Sequence, residues 1–276
     1  MSDPRLTLIR DGVAAAHLEG VVEADAYAPL TPMRCIAATA AIRKAPNAAS
    51  EQQDQLAYGE AFDVLARDGA FCFGQASRDG YVGWVEAADL APGHLAPTHW
   101  VSALSTLVFT RPDLKSATAM SLTLNSLVRI EQAEGRFVKA AGAGWIFEGH
   151  LTPIAIYEAD PVAVASRFAG APYLWGGRQC GGLDCSGLLQ QASYACAMPS
   201  ARDTDMQAAL GRAVSREDLQ RGDLVFWKGH VGLMADAETL LHANAHHMAT
   251  ETESLARAIA RIEVAGVGAP VGYRRV

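Results

Sequence analysis

The sequence predicts a multidomain protein in which two small β-barrels precede one α+β domain. Three observations lead there. Residues 34–155 alternate apolar and polar side chains in short runs, punctuated by Gly, Pro and polar residues, which is the period-2 pattern of half-buried strands. The same stretch repeats itself. From about residue 156 the pattern changes to apolar-stripe helices followed by a run of strands, the order that marks an α+β domain.

The repeat is readable residue by residue. The first copy runs CIAATAAIRKAPN, AYGEAFDVLARDGAFCF and DGYVGWVEAADLAP, and the second WVSALSTLVFTRPD, LTLNSLVRIEQAEGRFVKA and AGAGWIFEGHLTP. Pro46 matches Pro112, and Gly83-Trp84 matches Gly144-Trp145. The Pro-to-Trp separation is 38 residues in the first copy and 33 in the second, so the first holds a loop about five residues longer. Copies of about 60 residues, 34–98 and 99–155, suit small five- or six-stranded barrels. A single larger all-β domain is the competing reading. Residues 1–33 form a lead-in segment, with helical spacing from Leu6 to Leu18 and Pro29 and Pro32 beyond it.

Composition excludes several classes of partner. Half of the 276 residues are hydrophobic and 19% are charged, as in an ordinary globular protein with a core. The net charge of -7 argues against nucleic acid, since phosphate neutralisation needs clustered Lys and Arg. It argues equally against attraction to an anionic membrane. Asp3, Arg5, Arg10, Asp11 and Glu19 interrupt every apolar run near the N-terminus, so no secretory signal is expected. With no run of about 18 apolar residues, no membrane span is expected either, and the expected compartment is the cytoplasm. Five irregularly spaced cysteines, 35, 72, 180, 185 and 196, predict free thiols rather than a disulfide framework.

The chemistry concentrates in residues 156–276. Asp160-Pro161 is an N-cap followed by proline at the first helical position. CSGLLQQASYACAM reads as a second helix, and LVFWK, VGLMAD and TLLHANA as buried strands. Cys185 stands at the start of that second helix. There the helix dipole and unpaired N–H groups favour a thiolate and can bind an oxyanion, and glycines 176, 177, 181, 182 and 187 allow close backbone approach to a substrate. A buried structural cysteine is the competing reading. His230 opens an apolar strand, where imidazole can take the thiol proton and return it to a leaving amine. If the next strand pairs antiparallel across the Asp236-Ala-Glu turn, His242 lies beside His230 and orients it. Asn244, His246 and His247 are rivals for that third position.

These segments together resemble the NlpC/P60 cell-wall peptidases. The residues that carry the likeness are Tyr173-Leu-Trp175-Gly-Gly, Asp184-Cys185-Ser186-Gly187, Gly222-Asp223-Leu-Val-Phe226, His230-Val-Gly232 and His242-Ala243, in order across roughly 100 residues. The resemblance implies a papain-like α+β catalytic fold and amide hydrolysis through a thioester, without metal or cofactor. The two repeated copies resemble bacterial SH3-like (SH3b) domains, which end on a Gly-Trp-hydrophobic strand. Two such copies before the catalytic domain resemble the dipeptidyl-peptidase VI branch. That branch cuts the bond between γ-D-glutamate and a diamino acid, meso-diaminopimelate or Lys, in murein peptides with a free N-terminal L-alanine, in cell-wall recycling.

The same resemblance implies roles for further residues. Glu60 and Tyr81 match an acid and a tyrosine that meet the substrate amine, and Arg202-Asp203-Thr204 matches an element in which Asp203 pairs with that ammonium. Two acids around a buried amine would reject a blocked peptide, because an unpaired buried charge is costly. Tyr173 and Trp175 line the cleft, with the Tyr173 hydroxyl toward the oxyanion, and Asp184 and Ser186 contact substrate. Cys180, five positions before Cys185, departs from the family pattern. A zinc site from Cys180, Cys185, His242, His246 and His247 fits no ligand spacing. A papain-like acyltransferase or amidase, or a murein binder with an inert peptidase domain, remains as an alternative.

Overall fold

The computed structural model describes residues 3–276 and begins with a hairpin where the apolar spacing predicts a helix. Strands β1 (Ile9–Arg10) and β2 (Val13–Ala15) pair antiparallel, Ile9 opposite Ala14 and Arg10 opposite Val13. The residues between them, Asp11 and Gly12, have φ of 48° and 77°. Two successive left-handed residues make the tight hairpin turn that Asp-Gly favours, and this local signal outweighs helical spacing over a short segment. Strand β3 (Ala26–Ala28) then adds parallel to β2.

Two compact units follow from the chain's contacts, one ending at Ile156 and one spanning Tyr157–Val276. In the first unit, the first copy contributes β4 (Thr31–Cys35), β5 (Thr39–Arg43), β6 (Gln52–Ala57), β7 (Ala61–Asp68), β8 (Phe71–Ala76), β9 (Val82–Glu86) and β10 (Leu90–Pro92). They form one sheet in the order β10-β4-β7-β8-β9-β5-β6. The second copy contributes β11 (His99–Val101), β12 (Ser105–Phe109), β13 (Thr118–Thr123), β14 (Leu127–Val128), β15 (Ile130–Glu134), β16 (Phe137–Ala140), β17 (Gly144–Phe147) and β18 (Leu151–Pro153).

The second copy's sheets run β14-β11-β18 and β13-β12-β17-β16-β15. Read end to end this is the first copy's order, with the equivalent of β7 broken at Arg129. The repeat seen in the sequence is therefore also a repeat of strand pairing. Closed barrels do not result. Among the described residues no sheet joins its two edges. The strands curve instead at bulges, between Val64 and Ala66 in β7 and between Ile130 and Gln132 in β15, and a bulge bends a ladder without closing it.

The five extra residues of the first copy lie in its β8–β9 hairpin, which runs Phe71–Trp84 against Phe137–Trp145 in the second. That longer hairpin carries both Arg78 and Tyr81. The copies also approach closely. A Cβ on Gly59 would sit 2.1 Å from the Leu127 carbonyl oxygen, and Gly59 has φ +83°, so glycine is required there.

In the second unit α1 (Pro161–Ser166) starts as the sequence predicts, with Asp160 accepting from the Val162 and Ala163 N–H groups at 2.8 and 3.2 Å. A small hairpin of β19 (Arg178–Gln179) and β20 (Gly182–Leu183) leads into α2 (Cys185–Ala195), every residue of which is buried. After α3 (Thr204–Gln207) come β21 (Arg212–Ala213), β22 (Leu224–Trp227), β23 (His230–Met234), β24 (Thr239–Asn244), β25 (Ala249–Ser254), α4 (Leu255–Val264) and β26 (Gly272–Arg275).

The six strands form an antiparallel sheet in the order β21-β26-β22-β23-β24-β25. Helix α2 packs on β23 and β24, which makes this unit α+β. Strand β22 is held by Asp223, whose carboxylate accepts a two-pronged bond from Arg275 at 2.7 and 2.7 Å. Strand β25 and helix α4 are absent from the sequence expectation. The helix was nonetheless legible: Ser254 caps it by accepting from the Arg257 N–H at 3.2 Å, and Leu255, Ala258 and Ile262 make its buried stripe. No helix among the described residues is long and apolar enough to cross a membrane.

Candidate active site

Asp184 organises the start of α2. Its Oδ1 caps the helix by accepting from the Gly187 N–H at 2.8 Å, and its Oδ2 accepts from the Gly176 N–H at 2.8 Å. Arg202 closes on the same carboxylate, Nη1 donating to Oδ1 at 3.0 Å and Nη2 to Oδ2 at 2.6 Å. Arg202 Nη1 also donates to Ser186 Oγ at 2.8 Å, and the Ser186 hydroxyl donates to Asp184 Oδ1 at 3.2 Å. Arg202 is only 1% exposed. A charge that deep requires a partner, and each group here is the other's. Asp184, Ser186 and Arg202 were expected to contact substrate. The polar contacts above join the three into a buried lock on the Cys185 helix.

The glycines play a related part. A Cβ on Gly187 would lie 2.2 Å from the Gly177 carbonyl oxygen, and one on Gly177 would lie 2.4 Å from that of Gly182. At these two positions glycine is required by the close approach of one chain segment to another. Gln207, which the sequence reading missed, ties the Arg202 segment to α2 by donating to the Ser186 carbonyl at 3.0 Å and the Ala201 carbonyl at 2.8 Å.

Cys185 is the first residue of α2 and is 7% exposed. Its Sγ lies 3.8 Å from the Thr204 hydroxyl, and the Val231 N–H, next to His230, also bonds to it. The helix-start position predicts a lowered thiol pKa. Burial instead pushes it up to about 11 and the neighbouring Asp184 carboxylate adds to the rise, against smaller opposing effects of the Val231 N–H, Thr204 and Arg202. The resting sulfur is therefore a thiol.

The two histidines meet as the strand reading expected. Strands β23 and β24 pair antiparallel through Leu233–Leu241 and Met234–Leu240. His230 Nε2 stands 2.8 Å from His242 Nδ1. Burial lowers the pKa of His230 to about 3, aided by the positive charges of His242 and Arg261. Burial lowers His242 to about 4, the opposing pull of Glu253 notwithstanding. Both rings are neutral near pH 7.

Of the rivals for the third position, Asn244 turns to its own loop and accepts the His247 N–H at 2.9 Å, while His246 and His247 stack edge to face. Behind His242 stand two residues the sequence reading did not single out. His242 Nε2 is 3.0 Å from Glu253 Oε1, and Arg261 bonds to the same carboxylate oxygen.

The other expected residues fall in three places. Tyr173 is half-buried, and burial first, then the charges of Cys185 and Asp184, raise its phenol pKa, so it is an O–H donor near the sulfur. Trp175 is 58% exposed, and Asp203 is half-buried just before α3. Glu60 and Tyr81, expected at the substrate amine, have places inside the first unit. Glu60 is 2% exposed, accepts from the Ala57 N–H at 2.9 Å and pairs with Arg78 at 2.8 Å. Tyr81 is 3% exposed in the core with Met33, Ile42 and Phe62. A buried carboxylate needs a cation, which Arg78 supplies, and a phenol ring fills core volume. Cys180 lies half-buried in the β19–β20 turn as a free thiol.

Residues 170–265, which hold the buried cysteine at a helix start and the paired histidines, match the NlpC/P60 family. Residues 42–90 match the bacterial dipeptidyl-peptidase SH3 domain, which places an SH3-like domain in the first copy. The chain is 27% identical over 236 residues to the gamma-D-glutamyl-L-lysine dipeptidyl-peptidase of Bacillus subtilis, covering 78% of this chain and 80% of that protein. It is 38% identical over 88 residues to a probable endopeptidase of Haemophilus influenzae, covering 28% of this chain and 53% of that one. Among solved structures, an NlpC/P60 family protein from Bacillus cereus shares the fold with a TM-score of 0.74 at 18% identity, over 89% of this chain and 99% of that one.

Proposed function

We propose that the protein is a cysteine peptidase that hydrolyses the γ-D-glutamyl–diamino acid bond of murein peptides bearing a free N-terminal L-alanine, with meso-diaminopimelate or Lys in the third position. The observation that carries the chemistry is the 2.8 Å contact between His230 and His242 on strands packed against the Cys185 helix. The similarity to a gamma-D-glutamyl-L-lysine dipeptidyl-peptidase supports the choice of bond.

The steps follow from the neutral resting pair. Substrate binding displaces water and brings the scissile carbonyl to Sγ. His230 takes the thiol proton through Nδ1 as sulfur attacks, since its Nε2 is engaged by His242. The tetrahedral oxyanion receives the Tyr173 hydroxyl and helix-start N–H groups. The imidazolium gives its proton to the diamino acid's nitrogen, the C–N bond breaks, and a thioester remains. Water, deprotonated by His230, then releases L-Ala-γ-D-Glu and restores the thiol. Asp203 supplies a carboxylate for the α-ammonium, and Trp175 an exposed apolar wall. Free peptides of this kind arise during wall turnover, and the proposed setting is murein recycling in the cytoplasm.

Mass spectrometry of L-Ala-γ-D-Glu-meso-diaminopimelate digests tests the reading. The free-amine peptide is cut, its N-acetylated form is left almost intact, and Cys185→Ala abolishes cleavage while retaining peptide binding. Equal cleavage of both peptides sinks the amine preference. Cleavage by Cys185→Ala sinks the nucleophile.

A further inference from the structure

The base pair of histidines has an anionic anchor. His242 lies on β24 and Glu253 on β25, with His242 directly opposite Glu251 in the register and Leu240 opposite Glu253. All four side chains share one face of the sheet, because directly paired residues point the same way. The exposed Glu251 is the nearer in register, yet it is Glu253, two residues along the diagonal, whose Oε1 lies 3.0 Å from His242 Nε2. Arg261 reaches back from α4 to hold that same oxygen. Burial acts to raise the Glu253 pKa, but the Arg261 hydrogen bond and charge, together with His242, outweigh it and leave the carboxyl lowered.

The logic of the chain is in its donors and acceptors. An ionised carboxylate only accepts hydrogen bonds. Glu253 therefore fixes the His242 proton on Nε2, and a neutral imidazole with its proton on Nε2 has only an acceptor at Nδ1. His242 Nδ1 in turn requires a donor at 2.8 Å, so the His230 proton sits on Nε2. What is left on His230 is an unprotonated Nδ1, the lone pair that a base needs. Arg261 completes the device. By balancing Glu253 it keeps the carboxylate from drawing a permanent second proton onto His242, which would turn the acceptor at Nδ1 into a donor and break the chain.

We infer that Glu253 is a positioning residue that sets the tautomers of both His242 and His230, with Arg261 holding it ionised. The inference rests on reading Cys185 and His230 as nucleophile and base. It goes beyond the three-residue arrangement by assigning a fourth and a fifth member from β25 and α4.

The test is nitrogen-15 NMR of the full chain with labelled histidine, alongside peptide kinetics. In the wild type, His230 and His242 should both show the tautomer protonated on Nε2. Glu253→Gln offers an amide that can donate as well as accept, so both histidines should become tautomer mixtures. With the chain intact but its order lost, kcat should fall about 10- to 100-fold, the range known for carboxylates that orient metal-bound histidines and taken here for the same orienting role, while KM changes less than about twofold. Glu251→Gln, opposite His242 but exposed, should change neither the spectrum nor kcat.

Three results overturn the inference. One is a wild-type His230 protonated on Nδ1, which can be read even if Glu253→Gln fails to fold. Another is an unchanged tautomer population in a folded Glu253→Gln. The third is an equal loss with Glu251→Gln. The NMR readout needs no substrate, so failure of the peptide assay with the tautomer shift intact would refute the proposed substrate alone.

Discussion

Lowering the pH from 7.5 to 5 should destabilise the catalytic unit by about 4 kcal/mol through two histidines. His230 and His242 have ordinary values of 6.5 and are held near 3 and 4 in the folded chain. At pH 5 both therefore stay neutral when folded and protonate when unfolded. The unfolded state binds more protons throughout this window, so stability falls as pH falls. The contribution is fully present above about pH 6.5 and is lost progressively toward pH 4 for His242 and pH 3 for His230. Each unit below 6.5 costs about 1.4 kcal/mol per group, which at pH 5 is about 2 kcal/mol for each ring.

The window also isolates them. The lowered carboxyls Asp160, Asp223 and Glu253 protonate below it. The groups facing His242 are Glu253, which opposes the depression, and Arg261 and His247, which add to it. Hydrogen exchange read by mass spectrometry on β22–β24 peptides, against urea at pH 7.5, 6 and 5, measures the opening free energy of this sheet. His230→Gln and His242→Asn should each remove about half of the fall. If both variants run parallel to the wild type between pH 7.5 and 5, the burial of neutral imidazoles is not the cause and the reasoning fails.

Three further outcomes follow from the same contacts. Arg202→Met leaves the Asp184 carboxylate buried beside Gly176 and Gly187 without its cation, and should cost about 3–5 kcal/mol in chemical denaturation. Asp184→Asn combined with Arg202→Met should cost less than the sum of the two single variants. Cys185, with its thiol near pKa 11, should be alkylated by iodoacetamide at pH 7 about 300-fold more slowly than a free thiol of pKa near 8.5, in proportion to its thiolate fraction, as read by mass spectrometry of its peptide, and the rate should rise up to about pH 11. A rate at pH 7 equal to the free thiol's would mean a resting thiolate. Arg261→Gln removes a positive charge facing His242 and should raise that ring's pKa above about 4 in an NMR titration, and a lower value would contradict the assigned role of Arg261.

Several parts of this protein are determined by sequence alone. The Asp160-Pro161 helix start, the strands around Phe226, His230 and His242, and the doubled strand pattern of residues 34–155 are short-range signals. Each is carried within one turn, one strand or one repeat, so no folded context is needed to read it. The Asp11-Gly12 hairpin was equally local, but the apolar spacing of Leu6–Leu18 masked it. Cys185, His230 and His242 were legible because motif spacing places them at element starts and on facing strands.

Tertiary structure alone decided the rest, for one physical reason: desolvation and pairing depend on segments that meet only after folding. The thiol of Cys185 is raised rather than lowered because packing buries it beside Asp184, which a helix-start argument cannot see. Asp184 and Arg202, 18 positions apart, are committed to each other because both are out of water. Glu60 is paired and Tyr81 is packed because the longer hairpin of the first copy brings Arg78 to the carboxylate and the phenol into the core. Glu253 and Arg261 lie on a polar strand and a solvent-edged helix whose sequence pattern marks neither as functional. Only the pairing of β24 with β25, and the return of α4 across it, brings that carboxylate to His242.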